Sequence, residues 1–169
     1  IAGSKIEVGY RATIPYVKVK LYVDESDFEH QGRVASVDRA LMPFVVGDGV
    51  GDLAEELLRL WPQAVLPVSD SLCEKYLVQR LFTARSNLQK RDVQVPALEF
   101  FVEPQVRPDI REGIAVEANG ESFTITMMVG ETFVREVKSL PYKIKLSSER
   151  GRLSAAEWVI WSCVRALRA

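Results

Sequence analysis

Histidine, cysteine and long apolar runs are scarce in this sequence. Its 169 residues include one histidine, His30, and two cysteines, Cys73 and Cys163. A structural zinc site takes about four closely spaced nitrogen or sulfur ligands, so we predict no metal site of that kind. Each cysteine falls among apolar residues in a helical pattern, which is more typical of a buried thiol than of a disulfide. No apolar run approaches the roughly 18 residues of a membrane helix, so we predict no membrane span.

An excess of charge of one sign is also lacking. The 22 Lys and Arg residues balance 23 Asp and Glu residues, for a formal net charge of −1, which gives no overall attraction to nucleic acid or anionic membranes. The sequence has no Asn-x-Ser/Thr acceptor site, which favours an intracellular location, in the cytoplasm or inside an organelle. The first residue is Ile1 rather than methionine, so we expect a chain that is processed, trimmed or part of a longer protein.

The length and the composition predict one folded domain. A chain of 169 residues with 47% hydrophobic residues can bury a full core without disulfides or metals. No internal repeat, low-complexity tract or linker divides the sequence. We therefore predict a single domain over residues 1–169.

The first quarter of the chain reads mainly as strands. Apolar residues alternate over 6–14, and the alternation changes phase after Pro15, which predicts a bulge, a bend or a break there. Residues 24–32 are polar and acidic, which is typical of a loop. The apolar stretch 34–46, which Pro43 interrupts, then predicts a strand that ends at Val46.

Three helices are predicted from apolar residues at helical spacing. The first follows Asp52 as its N-cap and stops at Pro62. The second covers residues 71–90, with basic residues on its solvated side. The last follows Ser154 as its N-cap and runs to the C-terminus.

The second half of the chain adds strands to these helices. Asn119-Gly120 between two alternating runs predicts a hairpin turn. Further strands are predicted at 97–102, 133–137 and 142–146. Because short connections favour antiparallel pairing, we predict an α+β fold: a mainly antiparallel sheet with about three helices packed on it and the C-terminal helix last.

A glycine-rich string precedes the first predicted helix, where phosphate-binding loops lie in many folds. The string contains Gly47, Gly49 and Gly51. The last glycine of a dinucleotide-binding motif would fall at Asp52, and the Gly-Lys-Ser/Thr of a P-loop does not follow. A strand-to-helix turn that Asp52 caps explains the same residues. We therefore predict no cofactor.

One set of residues resembles a known catalytic pattern. Pro108-Asp109 followed by Glu136-Val137-Lys138 resembles the PD-(D/E)xK nucleases. The resemblance implies that Asp109 and Glu136 hold a divalent cation while Lys138 helps to activate water. In that family the two strands pair directly, whereas this sequence predicts a hairpin between them. Neighbouring opposite charges on a solvated strand face are the other interpretation. A metal-dependent nuclease-like or nucleic-acid-binding module is therefore the alternative function.

Charge is distributed unevenly along the chain. Residues 24–74 hold eleven acids and three bases, residues 75–91 hold five bases and no acid, and residues 135–152 hold six bases and two acids. A face that binds nucleic acid is one interpretation of the basic stretches. Complementary surfaces between protein subunits are the other.

The last helix suggests a partner. One of its faces is apolar, and the opposite face carries Trp158, Trp161, Arg165 and Arg168. Tryptophan and arginine are enriched at protein–protein hot spots, although another part of the chain could also cover this face. With one histidine and no complete catalytic set, the sequence predicts no catalytic residues. We predict a non-catalytic protein-interaction or assembly subunit that binds a protein partner or forms a homo-oligomer through these four residues.

Overall fold

The computed structural model describes residues 7–13, 16–22, 28–41, 51–101, 112–140 and 144–169. These residues form seven strands and four helices: β1 Glu7–Thr13, β2 Tyr16–Tyr22, α1 Phe28–Leu41, α2 Leu53–Leu60, β3 Val65–Asp70, α3 Lys75–Gln89, β4 Ala97–Phe101, β5 Gly113–Asn119, β6 Ser122–Val129, β7 Thr132–Ser139 and α4 Glu149–Arg168. The predicted α+β class, with the C-terminal helix last, is confirmed. The chain divides into two compact units, residues 1–50 and 51–169. A single domain over residues 1–169 stays a prediction.

In the first unit, β1 and β2 form an antiparallel pair. Thr13 lies opposite Tyr16, so the change of phase predicted at Pro15 comes between two strands. Pro15 itself lies outside the described residues.

The described part of the following segment is a helix. Residues 28–41 form α1, Phe28–Leu41, which contains His30 and takes the place of the loop and of the apolar strand residues predicted there. Residues 24–27 and 42–46, which include the predicted strand end at Val46, lie outside the described residues. The apolar residues of this segment recur at helical rather than strand spacing, and they are its half-buried positions: Val34, Val37 and Leu41. A helical period therefore outweighs the apolar content that indicated a strand.

The second unit contains a five-stranded sheet with the order β4-β3-β5-β6-β7. The central strand β3 runs parallel to β4 and β5, whereas β5, β6 and β7 are antiparallel neighbours. Together with the β1–β2 pair, three of the five pairings are antiparallel. The mainly antiparallel character is therefore confirmed, although the parallel pairs around β3 were not predicted.

Two short turns connect the antiparallel strands. Asn119 pairs with Ser122, so the first turn consists of Gly120 and Glu121, one residue later than the predicted Asn-Gly turn. Gly120 has a φ of +64° and Gly130 in the second turn has a φ of +56°, while the glutamate after each has a negative φ. A glycine at the first turn position is typical of a type II′ hairpin.

The helices α2, α3 and α4 contact one another and form one layer on one face of the sheet. Asp52 caps α2 as predicted, since its Oδ1 accepts hydrogen bonds from the backbone N–H of Ala54 and Glu55 at 2.9 and 3.2 Å. Seven apolar side chains of this sheet face are at most 2% exposed: Leu66, Val68, Ile114, Val116, Phe123, Ile125 and Met127. The prediction of about three helices packed on the sheet is confirmed.

The last helix begins earlier than predicted. Ser148 rather than Ser154 is its N-cap, because the Ser148 Oγ accepts a hydrogen bond from the backbone N–H of Gly151 at 3.0 Å. Ser154 is buried within the helix, and residues 144–146 belong to no strand, so both predictions are wrong there. Among the described helices, none is long and apolar enough to cross a membrane.

Candidate interaction surface

The four residues predicted to bind a partner do not form one continuous face. The Trp158 and Trp161 rings meet edge to face, with centroids 4.6 Å apart. Trp161 is only 8% exposed, whereas Trp158 is half-buried and Arg165 is exposed. Arg168 lies apart from this group, because its Nε donates to Oε1 of Glu56 on α2 at 2.7 Å.

Lys138 of β7 covers the tryptophan pair from the sheet side. Its Nζ lies 5.4 Å from the Trp158 ring centroid and 5.6 Å from that of Trp161. The Arg165 guanidinium carbon lies 4.8 Å from the Trp161 centroid. Two cations therefore stack on the indoles, an arrangement that stabilises the docking of α4 beside β7. The sequence indicated the residue types of this cluster but not its cover, which comes from a strand 20 residues away.

Glu136 holds the same cluster together through hydrogen bonds and ion pairs. Its Oε2 accepts from the Ser162 Oγ at 2.9 Å and lies 3.1 Å from the Lys138 Nζ, while its Oε1 pairs with Arg165. Partial burial alone would raise the pKa of this carboxyl group. The hydrogen bonds from Ser162 and Lys138, together with the positive charges, outweigh burial and lower the pKa.

These contacts bear on the resemblance to nucleases. Both oxygens of Glu136 are engaged by cations and a hydroxyl group, and Lys138 is its salt-bridge partner. Asp109 lies outside the described residues. Within the part of the chain that the structure describes, no group of three His, Cys, Asp or Glu side chains could hold a metal ion. The nuclease-like function stays a prediction.

The opposite side of β7 carries an exposed row that sequence reasoning did not single out. Phe133 is 60% exposed and Val137 is 67% exposed, with the exposed Arg135 between them. Alternate residues of a strand share a face, so all three project from the sheet face opposite the helices. Among the described residues, Arg135 has no hydrogen-bond or ion-pair partner. The alternation over 133–137 predicts a strand, but it does not say which side stays open.

The backbone of β7 is open along one side as well. Within the described residues, β7 pairs with β6 and with no other strand. Val129 and Thr132 close the hairpin turn as a hydrogen-bonded pair, and such pairs alternate along antiparallel strands. The N–H and C=O groups of Phe133, Arg135 and Val137 therefore point away from β6, toward the free edge.

The two sides of β7 thus meet along one open edge. We call this region the β7 edge surface; it comprises Phe133, Arg135 and Val137 on the open sheet face and Lys138, Trp158 and Arg165 on the helix side. It combines unpaired backbone, apolar side chains and cations. Open strand edges, aromatic side chains and arginine are groups that protein recognition commonly uses.

A second notable place is the carboxyl end of β3. Asp70 is 7% exposed, its Oδ1 accepts from the backbone N–H of Leu72 and Cys73 at 2.9 and 2.7 Å, and its Oδ2 has no hydrogen-bond partner. Burial raises the pKa of Asp70 and, together with the Asp70 charge, that of the Cys73 thiol. A thiol with a raised pKa is a poor nucleophile, so this pair provides no nucleophilic chemistry.

A cleft of about 420 Å³ lies beside Asp70. Its lining combines apolar and polar side chains: Asp70, Ser71, Glu74, Lys75, Val78, Phe100 and Phe101. The unpartnered Asp70 oxygen is itself inaccessible to solvent, so in this conformation it offers no contact to a molecule in the cleft.

Comparisons with known protein families, with curated proteins and with solved structures give no match.

Proposed function

We propose that this chain is a non-catalytic interaction subunit that binds another protein through the β7 edge surface. The observation that carries the proposal is the pair of large exposed apolar side chains on an edge strand, Phe133 at 60% and Val137 at 67%. Exposed apolar residues on a regular edge strand are a liability unless a partner covers them.

The neighbourhood of this pair supports the same function. Arg135 stands between the two apolar side chains, and Trp158 with Arg165 borders the same edge on the helix side. Aromatic residues and arginine supply most of the binding energy in protein interfaces. Two of the four residues predicted from the sequence, Trp158 and Arg165, are therefore retained in the proposed interface.

We further propose an intracellular site of action, in the cytoplasm or inside an organelle. Cys73 and Cys163 are both free and buried. Unpaired thiols are typical of reducing compartments, whereas secreted domains of this size commonly pair their cysteines.

Site-specific photocrosslinking tests the interaction. The cross-linking amino acid p-benzoylphenylalanine would replace Phe133 in one variant and Phe82 in a second, expressed in the native host. Phe82 is a matched control because it is an exposed phenylalanine, at 47%, on α3. We expect a discrete adduct from position 133 and none from position 82, with mass spectrometry identifying the second polypeptide.

The identified polypeptide and the purified chain should then form a complex of fixed stoichiometry by light scattering. Val137→Glu should abolish that complex, because the substitution buries an unpaired charge at the interface. Equal adducts from both positions, or none from position 133, would show that the β7 edge surface is not the binding site.

A further inference from the structure

We infer that the partner of the β7 edge surface is an extended acidic segment of another protein, which pairs with β7 as an additional strand. This inference rests on the proposed function and specifies its partner. It joins two independent features of β7, its open backbone and its unpaired cation.

The backbone argues for strand addition. All eight residues of β7, Thr132–Ser139, pair with β6 in one uninterrupted register, without a bulge or a proline. Natural edge strands are commonly short, bulged, interrupted by proline, covered, or protected by charged side chains. Within the described residues β7 carries charges, at Arg135, Glu136 and Lys138, but has none of the other protections. Strand addition uses the N–H and C=O groups that such an edge presents.

The charges argue for an acidic segment. Arg135, Lys138 and Arg165 are cations of the β7 edge surface, and Glu136, the one acid of β7, is already paired with Lys138 and Arg165. Arg135 is exposed and, in the part of the chain that is described, has no partner. A carboxylate of the added strand directly opposite Arg135 would give this arginine an ion-pair partner, since opposite charges directly across two strands attract.

The side-chain order defines the segment further. Phe133, Arg135 and Val137 share one face, so a paired strand would face them with an apolar residue, an acid and an apolar residue at alternate positions. A second copy of β7 fits this row poorly. A symmetric pairing that sets Phe133 opposite Val137 of the copy also sets the two Arg135 side chains opposite each other, and like charges across a strand pair repel.

A synthetic peptide provides the direct test. The probe is a fluorescein-labelled peptide of about nine residues, with valine, glutamate and valine at alternate central positions and threonine elsewhere. Fluorescence anisotropy would measure its binding to the full chain. We expect saturable binding, and about tenfold weaker binding of a control peptide that has lysine in place of glutamate.

A charge reversal tests the role of Arg135. Arg135→Glu should weaken binding of the glutamate peptide about tenfold and strengthen binding of the lysine peptide. Arg150→Glu is the matched control, because Arg150 is also exposed and, among the described residues, has no partner. This variant should bind both peptides as the wild-type chain does. Unchanged binding in Arg135→Glu, or equal losses in both variants, would overturn the inference.

A pair of substitutions at Val137 distinguishes strand pairing from docking on the sheet face. Val137→Pro removes an outward N–H group without breaking the ladder to β6, whereas Val137→Thr keeps that group and the branched shape. Loss of binding in Val137→Pro alone is expected. Equal binding by the two variants would exclude strand pairing. If Val137→Pro fails to fold by circular dichroism, the charge reversal at Arg135 decides.

The outcomes separate this inference from the proposed function. No peptide binding by the wild-type chain, or a dimer through β7 by light scattering, overturns the acidic strand. If the adduct from position 133 still forms, the proposed function stands and only the partner chemistry is wrong. If position 133 gives no adduct and the peptide does not bind, both the proposed function and the acidic-strand inference are wrong.

Discussion

The two faces of the five-stranded sheet differ in what covers them, although the same strands build both. On the helix-covered face, Phe123, Ile125 and Met127 of β6 are fully buried. On the open face, Phe133 and Val137 of the neighbouring strand are more than half exposed. Alternation along a strand creates two faces, and helices that are distant in sequence decide which of them becomes core. The residue type alone therefore does not distinguish a buried core position from an exposed one.

The largest expected effect contrasts one residue from each face. Ile125→Ala should lower the free energy of unfolding by about 3 kcal/mol, because it leaves a cavity in the covered face. Val137→Ala should change it by less than about 0.5 kcal/mol, since the side chain is already exposed. Urea denaturation of both variants measures the difference. Similar losses in the two variants would mean that the open face is covered.

Next in size is the loss of the cation that links the three helices over the covered face. The Arg80 Nη1 lies 2.8 Å from Oδ2 of Asp52, and its Nε lies 2.6 Å from Oε1 of the buried Glu157. Arg80→Ala should cost about 2 kcal/mol of unfolding free energy, because these charged hydrogen bonds are partly buried. Arg150→Ala, which removes an exposed arginine, is the control. If Arg80→Ala loses no more unfolding free energy than Arg150→Ala, the ion pairs of Arg80 contribute little to stability.

A somewhat smaller loss of stability is expected at a glycine of the open face that does not tolerate a side chain. Gly113 lies on that face with a φ of +142°, and a Cβ there would sit 2.8 Å from the backbone oxygen of Pro67. Gly113→Ala should cost about 1.5 kcal/mol from this strained backbone and the close contact. Gly51→Ala, with no atom within 4 Å of its Cβ, should be nearly neutral. Thermal denaturation of the two variants measures the difference. Equal stability of the two variants would contradict this account of Gly113.

The smallest expected effect is a pH dependence from Asp70 on the covered face. Burial raises its pKa above the ordinary value of 3.8, so the folded state favours the protonated form. The folded state therefore loses stability as pH rises from the ordinary value through the raised one, and above that the penalty is complete. Asp70→Asn, which keeps an oxygen acceptor, should gain stability relative to wild type as the pH rises above 3.8.

Glu136→Gln provides the opposite sign in the same measurement. The pKa of Glu136 is lowered, so its contribution is present above the ordinary pKa and is lost as pH falls through the lowered one. Glu136→Gln should therefore be least stable relative to wild type at the higher pH. Relative to wild type, the melting temperature of Asp70→Asn should rise with pH above 3.8, and that of Glu136→Gln should fall as the pH rises toward 4.5. A difference from wild type that does not change with pH would contradict the assignment of the group concerned.

Elements with local start and stop signals were predictable from the sequence. Asp52 and Pro62 bracket α2 closely, and the residues 71–90 contain α3. The strand β3 was not predicted, and it contains Pro67, a residue that central strands rarely include. It is tolerated because β5 begins pairing only at Val68, beside Gly113. The point at which β5 begins to pair with β3 is set by a strand about 45 residues away, so nothing in the sequence near Pro67 indicates it.

The candidate site was predictable in residue type but not in exposure. Trp158 and Arg165 do border an open edge, whereas Trp161 is only 8% exposed and Arg168 is paired with Glu56. Cover of this kind depends on which strand lies beside the helix, and periodicity along α4 contains no information about β7. The row of Phe133, Arg135 and Val137 shows the converse case, because its ordinary strand pattern gave no reason to expect exposure.

The carboxylate of Asp52 has a consequence for how the helices open. Its Oδ1 accepts from the backbone of Ala54 and Glu55 at the start of α2 and also from Arg80 of α3 at 3.1 Å. Fraying of α2 therefore releases a contact of Arg80 in α3, and the same Arg80 donates to Glu157 of α4, so the three helices are coupled through one side chain. Native-state hydrogen exchange would then find these three helices opening as one cooperative unit, with α2 protected far beyond what an eight-residue helix achieves alone.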